Sequence, residues 1–76
     1  MNISELLSSG AKVLKKNKIE THLLDSELVL SSLLKERREN LLTNLNKEVS
    51  KKTINDFEKL IFRRANREPL AYILKN

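Results

Sequence analysis

Apolar residues near the start of the chain, Ile3, Leu6, Leu7, Gly10, Val13 and Leu14, recur at the three- and four-residue spacing of one helix face. They predict a first helix over about residues 3–16. Asn2 followed by Glu5 has the form of a capping box, which satisfies two of the amide groups left unpaired at a helix start. Lys15, Lys16 and Lys18 crowd the expected end, where cations favour the negative pole of the helix dipole, and Asn17 is a candidate left-handed cap. Gly10 falls on the apolar face, where it costs helix propensity unless another backbone approaches it closely. The close approach is the expectation.

Thr21 is the next N-cap candidate, and Leu23, Leu24, Leu28, Val29, Leu30, Leu33 and Leu34 make the following stretch apolar nearly all round. This second helix, about 22–35, is expected to be the most buried element. Leu41, Leu42 and Leu45 suggest a shorter third helix from Arg37 to Leu45, ended by Asn44 and Asn46. Ser50 caps a fourth, in which Ile54, Phe57, Leu60, Ile61 and Ala65 form the buried stripe and Lys52/Asp56 and Lys59/Arg63 the wet side. Pro69 ends that helix by about Asn66 and opens a short helical turn holding Leu70, Tyr72, Ile73 and Leu74. The fold class expected is therefore all-α: a small bundle of four main helices plus a short C-terminal turn, with Leu24, Leu28, Leu34, Phe57 and Ile61 in its core.

Composition agrees. A chain of 76 residues makes one small domain, and its single Gly, single Pro and three aromatics leave little for turns or sheets. The longest stretches without charge fall far short of a membrane span, and no basic n-region or cleavage site marks a secretory signal. The absence of Cys removes disulfides and thiolate zinc sites and fits a reducing compartment, so cytoplasm is the expected location. The net charge of +5 resides mostly in the C-terminal third. Such a face recruits an acidic partner or nucleic acid, or is simply solvated.

Catalytic chemistry finds little to build on. A phosphate-cradling loop needs several glycines, and Gly10 is alone in a helix. His22 is the only imidazole; a metal site would need Asp25 beside it, and an exposed first-turn histidine is the better reading. Asp25 and Glu27, or Asp56 and Glu58, are two apart and point to different sides of a helix. Catalytic, cofactor-binding and metal-ligating residues are therefore expected to be none. The segment that rises above background runs from Arg63 to Leu74: three arginines at a helix end, able to cap carbonyls or pair with carboxylates, followed by a stiff Pro-Leu-Ala-Tyr-Ile-Leu connector.

That segment, Arg63-Arg64-Ala65-Asn66-Arg67-Glu68-Pro69-Leu70-Ala71-Tyr72-Ile73-Leu74, resembles the end of the N-terminal domain in the HemK/PrmC family, the protein-(glutamine-N5) methyltransferases acting on peptide-chain release factors. Thr21-His22-Leu23-Leu24-Asp25-Ser26-Glu27-Leu28-Val29-Leu30 is similar to a second signature of that family at the start of helix two. His22 stands where Pro is usual, Ser26 where Ala is usual, and Lys75 where a closing Gly is usual.

The resemblance implies that residues 1–76 form a single helical, substrate-docking N-terminal domain. The S-adenosylmethionine-binding methyltransferase domain, with its glycine loop and Asn-Pro-Pro-Tyr motif, is absent from this chain. It implies as partners the release factors and that missing domain, with methylation of the glutamine in the Gly-Gly-Gln motif as the parent activity and no catalysis by this piece alone. Arg63, Arg64, Arg67, Glu68, Pro69 and Tyr72 become the candidate interdomain or partner contacts. A stand-alone basic helical module binding nucleic acid is the alternative, weakened by the lack of interleaved aromatics and of a Gly-marked helix-turn-helix corner.

Overall fold

In the computed structural model, which describes residues 1–75, the expected capping box opens α1 (Ile3–Lys16). Asn2 Oδ1 accepts from the Glu5 amide at 2.8 Å, and Glu5 Oε1 accepts from the Asn2 amide at 2.9 Å. The remaining free amides of that first turn are met from elsewhere in the chain. Ile3 N donates to the Lys47 carbonyl and Ser4 N to the Leu45 carbonyl, both at 3.0 Å, beside an isolated antiparallel bridge between Asn2 and Glu48. A helix start that would otherwise need water is thereby stitched to residues 45–49.

Four further helices follow: α2 (His22–Leu34), α3 (Arg38–Leu42), α4 (Lys51–Ala65) and α5 (Leu70–Leu74). The all-α expectation holds. Ser50 caps α4 as predicted, accepting from the Thr53 amide at 3.2 Å, and the Lys52–Asp56 pair forms on its wet side at 2.9 Å. Pro69 precedes α5, with its carbonyl accepting from the Tyr72 and Ile73 amides. α1 and α4 lie side by side with the same chain direction, since Gly10 faces Phe57 and, further along, Arg67 reaches Asn17. α2 packs across both, and Ile3, Leu6, Leu14, Val29, Leu30, Leu41, Phe57 and Ile61 meet in one core.

The structure corrects several expectations. α2 is not buried all round: its inward face is Asp25, Ser26, Val29 and Leu30, while Leu23 is 64% exposed and Leu24, expected in the core, 40%. Leu28 is half-buried, and Leu34 only partly covered though packed against the core. The reason is a phase set by polar fit rather than by leucines. Ser26 Oγ donates to the Leu7 carbonyl at 2.8 Å where α2 crosses α1 at Gly10, and Asp25 finds a partner on α4. Val13, expected on the buried face of α1, is likewise exposed.

α3 is shorter than Arg37–Leu45, with only Leu41 buried. The Leu45 and Lys47 carbonyls are directed at the α1 amides and so cannot continue a helix. Asn17 is not the left-handed residue. It stays near helical geometry, its side chain donating to the Val13 carbonyl, and Lys18 takes the positive φ of 63°. The Lys18 amide then donates to the Lys15 carbonyl and the Ile19 amide to the Leu14 carbonyl, the paired bonds of a Schellman end that tucks Ile19 into the core.

Candidate functional site

α4 closes with the same motif. The Arg67 amide donates to the Arg64 carbonyl at 2.8 Å and the Glu68 amide to the Arg63 carbonyl at 3.2 Å, with Arg67 at φ 69°. A left-handed conformation costs a residue with a Cβ about 1–2 kcal/mol. Here it aims the Arg67 side chain across to α1, where Nη2 donates to the Asn17 carbonyl at 3.1 Å and approaches the Lys18 carbonyl at 3.4 Å. Arg67 thus supplies a cation to the negative end of a second helix.

The other two arginines turn to different elements. Arg64 Nε donates to Asp25 Oδ2 at 2.8 Å, and Arg64 Nη1 donates to the Glu68 carbonyl at 3.0 Å. Asp25 is buried, so this bridge fastens α2 to α4 and to the start of the connector inside a largely dry contact. Arg63 forms a two-pronged pair with Glu68, its Nε donating to Oε1 at 3.0 Å and its Nη2 to Oε2. The hydrogen bond from Arg63, and secondarily its charge, holds the Glu68 carboxyl below its ordinary value, while the same bond raises the Arg63 guanidinium.

A carboxylate with a depressed pKa stabilises the fold above its unfolded-state value, near pH 4.3, and loses that contribution as pH falls through the lower folded value. Glu68→Gln should therefore flatten part of the acid-side loss of stability below about pH 4.3 and leave the slope above pH 6 unchanged, as thermal melts across pH would show.

The candidate contacts from the sequence are thus brought together at one corner, but with their heads engaged inside the molecule. Arg63 holds the acid that follows α4, Arg64 holds α2, and Arg67 holds α1. Pro69 sets the entry to α5, whose Leu70, Ile73 and Leu74 pack inward. Tyr72, 67% exposed, is directed outward. His22 is half-buried rather than exposed, its Nδ1 3.0 Å from the Ile19 carbonyl oxygen, and Asp25 serves Arg64 instead of a metal.

Among the described residues no group of three His, Cys, Asp or Glu side chains could hold a metal ion, and no helix is long and apolar enough to cross a membrane. A concavity of about 220 Å³ lined by Ile3, Leu34, Asn40 and Val49 lies at the far end of the bundle from the arginines.

One surface feature escaped the sequence reading. Phe62 is 68% exposed and stands beside a cleft of about 220 Å³ between α1 and α4, walled by Val13, Phe57 and Ile61. Its position one residue beyond Ile61, off the buried stripe, was the available signal.

A family model described as the PrmC N-terminal domain matches residues 5–74. The chain is 34% identical over 73 residues to a bifunctional methyltransferase of Rickettsia felis, covering 96% of this chain and 14% of that protein. It is 35% identical over 74 residues to a release factor glutamine methyltransferase of Clostridium botulinum, covering 97% and 26% respectively, and 32% identical over 71 residues to one of Fusobacterium nucleatum, covering 92% and 20%. It therefore spans about a quarter or less of each of these relatives. No solved structure matches it.

Proposed function

The chain belongs to the PrmC N-terminal domain family, and on that premise we propose that it is the substrate-docking domain of an S-adenosylmethionine-dependent methyltransferase. Its substrate is the glutamine side-chain amide of the Gly-Gly-Gln motif in peptide-chain release factors. The observation that carries this reading is the match of residues 5–74, together with relatives named as release factor glutamine methyltransferases.

The geometry supports a binding role. The bundle is tied rigidly at the corner where Glu68 and Pro69 lead into α5, so a surface on it keeps a fixed orientation relative to that connector. Its charge of +5 steers an acidic partner surface toward it. In this reading the cofactor and the transfer chemistry belong to a methyltransferase domain outside residues 1–76, and the site of action is the cytoplasm, where release factors work. The nucleic-acid alternative has less support, since the arginines of the basic corner are taken up by carboxylates and carbonyls.

Calorimetric titration tests both halves. The purified chain should bind a bacterial release factor with micromolar affinity, give no heat with S-adenosylmethionine, and transfer no methyl group from it. Absence of release-factor binding would overturn the docking role, and micromolar affinity for S-adenosylmethionine would overturn the division of labour.

A further inference from the structure

We propose that Arg67 is a positioning residue for methyl transfer: by locking the end of α4 to the end of α1, it fixes the direction in which the chain leaves the bundle. This rests on the docking role proposed above and says how docking is passed on to the reaction.

The Arg67 backbone lies in the left-handed region, at φ 69°, where glycine is the usual occupant of a helix end. A residue with a Cβ keeps that conformation only where its surroundings over-determine it. Lys18 and Lys35 share it, but among the described residues only the Arg67 side chain returns from such a position to bind another helix. Its grip falls on the carbonyls of Asn17 and Lys18, so the left-handed end of α4 is locked to the left-handed end of α1. Because the two helices run in the same direction, their negative poles lie side by side and repel, and the guanidinium that bridges them answers both.

The path from α4 to α5 has no free joint. Arg67 is held by its guanidinium and by its amide on the Arg64 carbonyl. Glu68 is held at its carboxylate by Arg63 and at its carbonyl by Arg64. Pro69 has its φ set by its ring, at −58°. A release factor docked on the bundle is therefore presented at one angle to the domain that follows α5, and misplacing reacting atoms by about 1 Å can cost a hundredfold in rate. Arg67 is also the arginine that can be removed without unfolding the domain, since its partners are carbonyls, whereas loss of Arg64 strands the buried Asp25 carboxylate.

The test uses this chain and the full-length methyltransferase that the docking role implies, with Arg67→Asn as the variant. Asparagine tolerates the left-handed backbone, so the change removes the guanidinium without adding the freedom of glycine. In the chain alone the thermal midpoint should change little, while residual dipolar couplings across Leu70–Leu74 shrink relative to those of α1, the mark of an averaged orientation. In the full-length protein, kcat for release-factor methylation should fall at least about tenfold with KM unchanged. Arg67→Lys, which keeps a cation of similar reach, should restore most of that rate.

Undiminished couplings in α5 of Arg67→Asn would overturn the inference and leave the docking role standing. A raised KM at unchanged kcat would overturn it as well, since Arg67 would then be a contact of the release factor. A loss of kcat that follows a lowered thermal midpoint, and that Arg67→Lys does not repair, would overturn it in favour of a purely structural tie. No methylation by the unaltered full-length protein would overturn the docking role itself and, with it, the link to transfer.

Discussion

Phe57→Ala is expected to cost about 3–5 kcal/mol in denaturant titration, because the ring is almost wholly buried and its removal leaves a cavity that the helices around it cannot close. A domain of 76 residues has roughly 4–11 kcal/mol in total at 0.05–0.15 kcal/mol per residue, so the variant stands near unfolding. The neighbour of that ring gives the sharper result. A Cβ added at Gly10 would stand 2.6 and 2.8 Å from two Phe57 ring carbons and 2.7 Å from Ser26 Oγ.

Gly10→Ala gains about 1 kcal/mol of helix propensity, and overpacking typically costs about 1–3 kcal/mol, so net destabilisation is expected. The ring is stiff, and the hydroxyl is held by its bond to the Leu7 carbonyl, so neither gives way cheaply. In a background lacking the ring, two of the three clashes vanish and the new methyl group fills part of the cavity. Gly10→Ala should then become much less destabilising, with Phe57→Leu as the background if alanine unfolds the chain, since only the contact with Ser26 Oγ remains. Additive effects in this cycle would show that Gly10 and Phe57 are not in contact.

The elements that were legible in the sequence are those with a single apolar stripe. α1 and α4 each carry one, so periodicity fixed both their extent and their inward face, and the caps at Asn2 and Ser50 are local hydrogen bonds that neighbouring residue types specify. α2 has leucines on both sides, so its period carried no phase. The phase depends on Ser26 fitting against Gly10 and on Asp25 meeting Arg64, contacts that span 19 residues for the first hydrogen bond and 39 for the second. Asp25 and Ser26, adjacent polar residues in this leucine-rich helix, lie on its inward face.

The candidate site divides in the same way. The arginine cluster and its Glu-Pro connector were visible as a run of residues and as a resemblance. What each arginine holds was not visible, since Arg67 ends on a carbonyl 50 positions away and Arg64 on a buried acid. A signature that looks like a recognition surface in one dimension is, in three, mostly a clamp. The exposed aromatic Phe62 lies next to it on the same helix but belongs to a different face.

Arg64→Met tests that clamp and is expected to be about as damaging as loss of the core ring. The methionine keeps the apolar stem, so the change isolates the guanidinium. Its loss leaves the Asp25 carboxylate at 3% exposure without its cation and leaves the Glu68 carbonyl without a donor. Breaking one side of a buried pair costs about 3–5 kcal/mol, and the partial exposure of Arg64 places this case near 3 kcal/mol.

The cost is chiefly that of an abandoned buried charge, so removing the charge as well should recover much of it. Asp25→Leu together with Arg64→Met should be more stable than Arg64→Met alone by more than 1 kcal/mol, since a well-packed apolar pair of similar volume often matches a buried ion pair. Chemical denaturation of the single and double variants decides between this account and simple loss of a contact, in which case the second substitution would add to the damage. The single variant should also loosen α5, because Arg64 is the residue that ties the connector to α2. Amide protection at Ile73 falling well below that at Leu14, whose exchange follows the global loss of stability, is the expected sign of that local release.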